Sequence, residues 1–408
     1  MIHRLEISNF YSLREPQAID LPVAANVPDE PWLFAPIYPG ARERAPKVIA
    51  LFGPNASGKS NVLRSLGFLS WFIGQSFNHP ADVPLLYRQF NDSEAQGMPT
   101  RLALGFAGPA DPAKVNDPSS IPCRYEYEVV LGGPKDPNEK SQHVIREALH
   151  YWPDPGGRRT RLFERNDKGE IAAGKEFEFA GFRLAVKNVL RPNASLISTL
   201  AQLNHPIAQG GCRMAATIIS NVNVEKVEPP EAMVIKYYAD NPAAVDSLNR
   251  EITRIDLGVR NIQIKQGPGG ITALFEHEGL ATQLPIQLES NGTRAFLKVF
   301  PLLDSALKNG LVAVIDELDQ SIHPALLPEI IRWFHDPERN PYNAQLWMSC
   351  QNASLLEELA KEEVFFCEKD SRGRTSVYGL RDIKAVRRND NYYRKYLGGV
   401  YGAVPHVG

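Results

Sequence analysis

The sequence predicts an α/β fold with a buried central sheet, on three observations. A continuous apolar run, Val48-Ile49-Ala50-Leu51-Phe52, leads into a glycine loop. A second, Leu311-Val312-Ala313-Val314-Ile315, ends in two carboxylates, Asp316 and Glu317. Between the two runs, several segments alternate apolar and polar residues. Strands buried on both faces read as unbroken apolar runs, whereas strands with one wet face alternate. The expected architecture is a mixed central sheet with an antiparallel β region and a helical insertion.

Composition excludes other classes. Of the 408 residues, 43% are hydrophobic and 23% charged, which rules out disordered and collagen-like chains. The net charge of −2 does not advertise nucleic-acid binding, although a local basic patch remains compatible with it. Cys123, Cys212, Cys350 and Cys367 are far apart and form no C-x-x-C pair, so reduced thiols are expected rather than zinc or disulfides. The N-terminus lacks the apolar core of a signal peptide, and no apolar run approaches the roughly 20 residues of a membrane span. A cytoplasmic protein with no membrane partner is expected.

Along the chain, His3–Ile7 alternates and Gln17–Leu21 suggests a second strand. The proline-rich stretch 22–47 reads as a loop. Strand 48–52 is followed by a helix with Val62, Leu63, Leu66 and Leu69 at helical spacing. Arg101–Phe106, Arg124–Val130 and Val144–Tyr151 alternate and are separated by turn residues. Residues 175–255 read as mostly helical, with no sustained heptad to suggest a coiled-coil arm. Ile262–Ile264 and Thr272–His277 read as strands, and 292–307 as a helix before the strand Leu311–Ile315. A helix over 324–334, the strands Gln345–Met348 and Val364–Cys367, and a Lys/Arg/Tyr-rich tail complete the chain. The division predicted is 1–75, the N-terminal part of the main domain with the glycine loop; 76–170, an antiparallel β region of the same lobe; 171–257, a helical insertion; and 258–408, the C-terminal part of the main domain.

Gly53-Pro54-Asn55-Ala56-Ser57-Gly58-Lys59-Ser60 matches G-x-x-x-x-G-K-[ST] in full. The glycines let backbone N–H groups wrap a phosphate, and the helix that follows aims its positive end at it. Lys59 reaches the β- and γ-phosphates of ATP, and the Ser60 hydroxyl ligates Mg²⁺. Asp316, at the end of the second apolar run, is the matching Walker B ligand for Mg²⁺ through water. Glu317 is the expected residue to orient or deprotonate the attacking water.

With these motifs on the page, the sequence resembles the SMC/RecF branch of ABC ATPases. The P-loop followed by Asn61 and the opening Leu5-Glu6-Ile7-Ser8-Asn9-Phe10 carry the likeness. More closely it resembles the AAA15/AbiLi-type, OLD-related ATPases of bacterial abortive infection. That likeness rests on Glu289-Ser290-Asn291-Gly292-Thr293, on Asp316 to Pro324, on Glu368-Lys369-Asp370, and on Tyr396-Leu397-Gly398-Gly399-Val400-Tyr401-Gly402-Ala403-Val404-Pro405. It covers both ends of the chain and little of 80–255. It implies an ABC-type P-loop NTPase.

The resemblance also implies roles. Ser290 and Gly292 correspond to the signature motif, which reads the γ-phosphate of ATP held by a second subunit; the simpler alternative is a helix cap. Asp319 falls where the D-loop crosses a dimer interface, or else caps the next helix. Gln89 is a candidate Q-loop residue, with an ordinary surface glutamine as the alternative. His323 before Pro324 shapes a turn. One position departs from the family pattern: Gln351 stands where a switch histidine is usual. An amide can hydrogen-bond a γ-phosphate but takes no proton, so slow hydrolysis is expected.

The function this implies is an ATP-driven sensor or scaffold of an anti-phage system. It would sandwich ATP between copies of itself, respond to a phage-derived trigger, and control a toxic effector such as a TOPRIM or RloB-like nuclease. The stretch 352–408 is too short for the TOPRIM domain that OLD-family proteins fuse here, so the effector is expected to be separately encoded. The alternative is a RecF/SMC-like repair ATPase acting on DNA. A self-contained nuclease ranks last, since 80–255 shows no compact acidic or H-N-H cluster. The basic groups Arg158-Arg159-Arg161 and Lys384-Arg387-Arg388-Arg394-Lys395 read as solvated faces. The second group, interleaved with Tyr392, Tyr393 and Tyr396, is the better interface candidate.

Overall fold

The computed structural model describes residues 1–404 except 116, 118, 134–141, 155, 224–228, 256–257, 268–269, 321 and 323–325. His323 and Pro324 therefore lie outside the described residues.

Among the described residues thirteen strands build two large sheets. They are β1 (Ile2–Ser8), β2 (Gln17–Asp20), β3 (Val48–Phe52), β4 (Thr100–Pro109), β5 (Pro122–Gly132), β6 (His143–Trp152) and β7 (Thr160–Asn166), followed by β8 (Ile171–Ala173), β9 (Ile218–Ser220), β10 (Val312–Ile315), β11 (Gln345–Ser349), β12 (Val364–Lys369) and β13 (Thr375–Gly379). Seven form an antiparallel sheet in the order β8-β7-β6-β5-β4-β1-β2. Six form the central sheet, β9-β10-β11-β3-β12-β13, parallel except at the β13 edge. A three-stranded sheet covers Val259–Gly267, Gly270–His277 and Leu284–Pro285. Stretch 22–47, expected as loop, contains a small ribbon, Phe34–Pro36 with Arg44–Pro46.

The apolar runs are buried because both faces of the central sheet are covered. Ile49 and Leu51 of β3 point into one core, while Val48, Ala50 and Phe52 point into another. β10 divides the same way, with Val312 and Val314 on one side and Ala313 and Ile315 on the other. The first core lies between the two large sheets. Helix α1 (Lys59–Gln75) fills it with Val62, Leu63, Leu66, Leu69 and Phe72. Truncating a core leucine such as Leu66 to alanine costs about 2–5 kcal/mol. Among the described residues the remaining α-helices are α2 (Arg183–Val189), α3 (Leu196–Gln202), α4 (Pro206–Ala215), α5 (Glu231–Asp240), α6 (Pro242–Ile255), α7 (Asn291–Asn309), α8 (Leu327–His335) and α9 (Tyr392–Leu397). Of these, α3 and α4 join α1 in the first core, and α7 and α8 cover the opposite face.

The stretch read as a helical insertion also supplies β9, a strand of the central sheet paired parallel with β10 through Ile218↔Val312 and Ser220↔Val314. Three residues are too few to show a period, so propensity gave no signal there.

Two buried polar clusters fix the layers. Gln345, fully buried, accepts from Ile2 N–H at 3.0 Å and donates to the Ile2 carbonyl at 3.0 Å, which ties β1 to the central sheet. Glu147 and Arg165 are both buried, with 3.5 Å between Oε2 and Nε. Glu147 also accepts from Tyr127 Oη at 2.9 Å and from Leu196 N–H, at the start of α3, at 2.8 Å. Burial pushes the Glu147 carboxyl up, and Arg165 opposes that shift. A negative charge at a helix N-terminus is favourable, so the cluster pins α3 to the antiparallel sheet.

Candidate nucleotide-binding site

The glycine loop lies between β3 and α1, where its sequence predicts it. Its shape depends on backbone conformations that favour glycine. Gly53 and Gly58 have φ of +147° and +105°. A Cβ on Gly53 would lie 2.2 Å from the Cys367 carbonyl oxygen, and one on Gly58 would lie 2.3 Å from Thr375 Oγ1. Ala56 adopts φ of +61° without that freedom. Non-glycine residues held there store strain, which concentrates at ligand-binding loops.

The loop is prepared for an anion. No side chain caps the start of α1, so its first N–H groups are available to a phosphate. Ser57 Oγ is buried without a hydrogen-bond partner. Lys59 Nζ donates to the carbonyls of Gly53 at 2.8 Å and Pro54 at 3.0 Å. Burial holds the Lys59 ammonium below its ordinary pKa, with Cys367, Asp316 and Asp319 acting the other way. Burial pushes the Cys367 thiol up to about 12, so it stays protonated and inert.

The carboxylates meet the loop from the end of β10. Ser60 Oγ donates to Asp316 Oδ1 at 3.0 Å, across 256 positions of sequence. One hydroxyl and one carboxylate, with room for water, is a donor set that suits Mg²⁺. Glu317 follows at φ +53° and lines the same cavity, of about 770 Å³, as Lys59, Ser60, Asp319 and Gln351. Asn55, Ala56, Ser57, Gly58 and Asn61 also line it, while Gly53 and Pro54 hold Lys59 from behind. Gln351 is exposed, at the position expected of the switch residue.

Other expected residues lie apart. Gln89 does not line the cavity; its side-chain amide donates to the Met98 carbonyl at 2.5 Å. That loop packs on Asn9, whose amide donates to the carbonyls of Ala95 and Met98 at 2.7 and 2.9 Å. Ser290 caps α7, accepting from Thr293 N–H at 3.1 Å, and Gly292 lies in the first turn of that helix. Neither lines the cavity. The Asp319 carboxylate accepts from Gln351 N–H at 2.8 Å and Asn352 N–H at 2.7 Å, fixing the turn that carries Gln351; the start of the run it would cap lies outside the described residues.

Two of the three tail tyrosines are core residues rather than an interface, and Tyr393 is half-buried against the same core. Tyr392 and Tyr396 are buried, and Tyr396 stacks on Phe366 at 5.3 Å and donates to the Ala403 carbonyl at 2.8 Å. Arg388 pairs with Glu30 at 2.8 Å and Glu362 at 2.9 Å, so that charge is already matched.

Sequence reasoning missed the residues that hold the motifs in place. Thr375 Oγ1 donates to the Ser57 carbonyl at 2.8 Å, and Asn61 Nδ2 donates to Ser12 Oγ at 2.7 Å. Ser349 and Asn221 hold Asp316. Only Ser349 had a signal, its place at the end of an apolar strand two residues before Gln351.

A family model described as "AAA domain, putative AbiEii toxin, Type IV TA system" matches residues 48–351, well over half of the chain. The chain belongs to this AAA domain family. The match spans the glycine loop, Asp316, Glu317 and Gln351, and the family generally binds ATP with Mg²⁺. None of the curated proteins matches the chain. Among solved structures it is similar to the SMC head domain from Thermotoga maritima, at 12% identity and a TM-score of 0.38, covering 93% of this chain and 98% of that one. An SMC head bound to the C-winged helix domain of ScpA is similar at 12% identity and 0.45, covering 93% and 97%. An SMC head with an extended coiled coil, bound to the C-terminal domain of ScpA derived from Pyrococcus furiosus, is similar at 12% and 0.41, covering 93% and 96%. Among the described residues no helix is long and apolar enough to cross a membrane.

Proposed function

We propose that this AAA domain is a slow ATPase that acts as a latch. It binds ATP with Mg²⁺, closes as a dimer or higher oligomer with ATP between copies, and controls a separately encoded toxic nuclease of the TOPRIM or RloB-like kind during abortive infection. The carrying observation is Gln351, which lines the same cavity as Lys59 and Glu317. The family description, with its AbiEii toxin and toxin–antitoxin system, supports the cellular role.

Each residue has a chemical part in this reading. The loop N–H groups and Lys59 bind the phosphates. Ser60 and Asp316 hold Mg²⁺, which when bound neutralises charge on the phosphate oxygens. Glu317 orients the attacking water and accepts its proton. Gln351 donates a hydrogen bond toward the γ-phosphate but has no titratable group. Ser290, exposed, and Gly292, half-buried, at the start of α7 read the phosphate on a second copy. A site with its base in place and its switch residue unable to titrate holds ATP longer than it cleaves it. A long-lived bound state suits a latch better than a motor.

The cellular reading is tested by phage plating on cells carrying the gene with its genomic neighbours, against the same cells carrying Lys59→Ala. Protection lost in the variant is expected. Equal plating on cells with and without the gene, together with DNA-stimulated ATPase activity and salt-sensitive DNA affinity, would replace this reading with the RecF/SMC-like one.

A further inference from the structure

Two side chains from different strands hold the Walker B carboxylates. Asn221 follows β9 directly, and its backbone N–H donates to the Val314 carbonyl at 3.1 Å, one more rung of the parallel ladder. Its side chain then continues the ladder where the backbone turns away. Asn221 Oδ1 accepts from Asp316 N–H at 2.7 Å, and Nδ2 donates to the Asp316 carbonyl at 3.2 Å. On the other flank Ser349, at the end of β11, accepts from Glu317 N–H at 2.7 Å and donates to Asp316 Oδ1 at 2.6 Å. Glu317 stands at φ +53°, a conformation that persists in a non-glycine residue only where its surroundings over-determine it.

The turn that carries Asn221 also touches the P-loop helix. At Gly67 of α1 a Cβ would lie 2.6 Å from the Val222 carbonyl oxygen and 3.1 Å from Asn223 Oδ1. Ser220 Oγ stiffens the turn, accepting from Val222 N–H at 3.0 Å and donating to the Val222 carbonyl at 2.8 Å. One short turn therefore bridges the helix that starts at Lys59 and the strand that ends just before Asp316.

We infer that Asn221 and Ser349 are positioning residues: together they fix the Asp316 and Glu317 backbone, and so the direction of both carboxylates, relative to α1. The inference rests on the reading of this site as hydrolytic, and it deepens that reading by adding a residue from the middle of the chain.

The test uses the full chain and four variants: Asn221→Ala, Ser349→Ala, Ser349→Thr and Gly67→Ala. The first two are expected to lower kcat by about tenfold or more, the scale of loss that follows misplacement of catalytic groups. Metal-free ATP affinity should stay within about threefold, a change of well under 1.4 kcal/mol. Ser349→Thr, which keeps the hydroxyl, should recover most of the rate. Gly67→Ala, which displaces the turn without touching the carboxylates, should lower kcat in the same direction. Two measurements do not need turnover. Amide exchange over 312–320 in the nucleotide-free protein should quicken in Asn221→Ala, and the Mg²⁺ concentration that half-saturates ATP binding should rise. Parent-like kcat in Asn221→Ala overturns the inference, as does a fall no larger than the loss of folded protein. If the parent itself does not turn over, the hydrolytic reading fails. The Mg²⁺ midpoint then decides alone, and an unchanged midpoint overturns the positioning role.

Discussion

The glycine loop and the end of β10 face one cavity, yet they are held in different ways. The loop makes many of its own contacts: Lys59 bonds the carbonyls of Gly53 and Pro54, and Ser57 N–H donates to the Pro54 carbonyl at 3.2 Å. The carboxylate end makes few. Asp316 is held by Ser60, Asn221 and Ser349, which belong to three segments separated by more than a hundred positions each. A phosphate cradle needs consecutive N–H groups, so its residues must be consecutive. A carboxylate pair needs only direction, and any strand or turn that ends nearby can supply it.

The largest expected effect falls on the carboxylate side. If Glu317 is the water-activating base proposed above, Glu317→Gln removes it and keeps the volume, so turnover should fall about 10²- to 10⁴-fold with ATP still bound. If Ser290 and Gly292 read ATP in trans, the same variant should accumulate a dimer or larger assembly with ATP and Mg²⁺. Light scattering that gives one mass with and without saturating ATP would exclude the sandwich.

Outside the site, Glu147 and Arg165 offer a control of similar size in stability. Removing one member of a buried pair leaves the other charge unmatched, at about 3–5 kcal/mol. Arg165→Leu should lower the unfolding free energy from denaturant titration by that much, with little change in ATP affinity of the folded protein. A small loss, or a selective loss of ATP binding, would mean that this cluster belongs to the site rather than to the scaffold.

On the loop side the expected effect is smaller. Lys59→Ala should weaken ATP binding at least tenfold, about 1.4 kcal/mol or more. Calorimetry giving equal affinities in variant and parent would remove the loop from the binding account.

What the sequence reveals follows the same division. Gly53 to Ser60 and the strand ending at Asp316 are legible because each is a contiguous pattern with its own physical period. The fold class is legible for the same reason: four of the six central strands are apolar runs buried on both faces. The ladder position of β9 is not legible, because three residues carry no period. Asn221 and Thr375 are illegible because their roles depend on which strand ends beside them. The tail tyrosines mislead in the opposite direction. Their spacing among Arg387, Arg388, Arg394 and Lys395 reads as a surface, yet the Tyr396 hydroxyl satisfies the Ala403 carbonyl inside the core and the Tyr392 ring is buried beside it.

Gln351 joins the two sides of the cavity, since Asp319 fixes its turn and it lines the same cavity as the loop. The latch account rests on it. Steady-state phosphate release by the parent, Gln351→His and Gln351→Ala tests that account most directly. The parent should turn over below about 10 s⁻¹, the median for enzymes, with Gln351→His faster and Gln351→Ala slower or looser for ATP. Equal rates in all three proteins would contradict the account, placing Gln351 outside the chemistry and leaving no residue to make the ATP state persist.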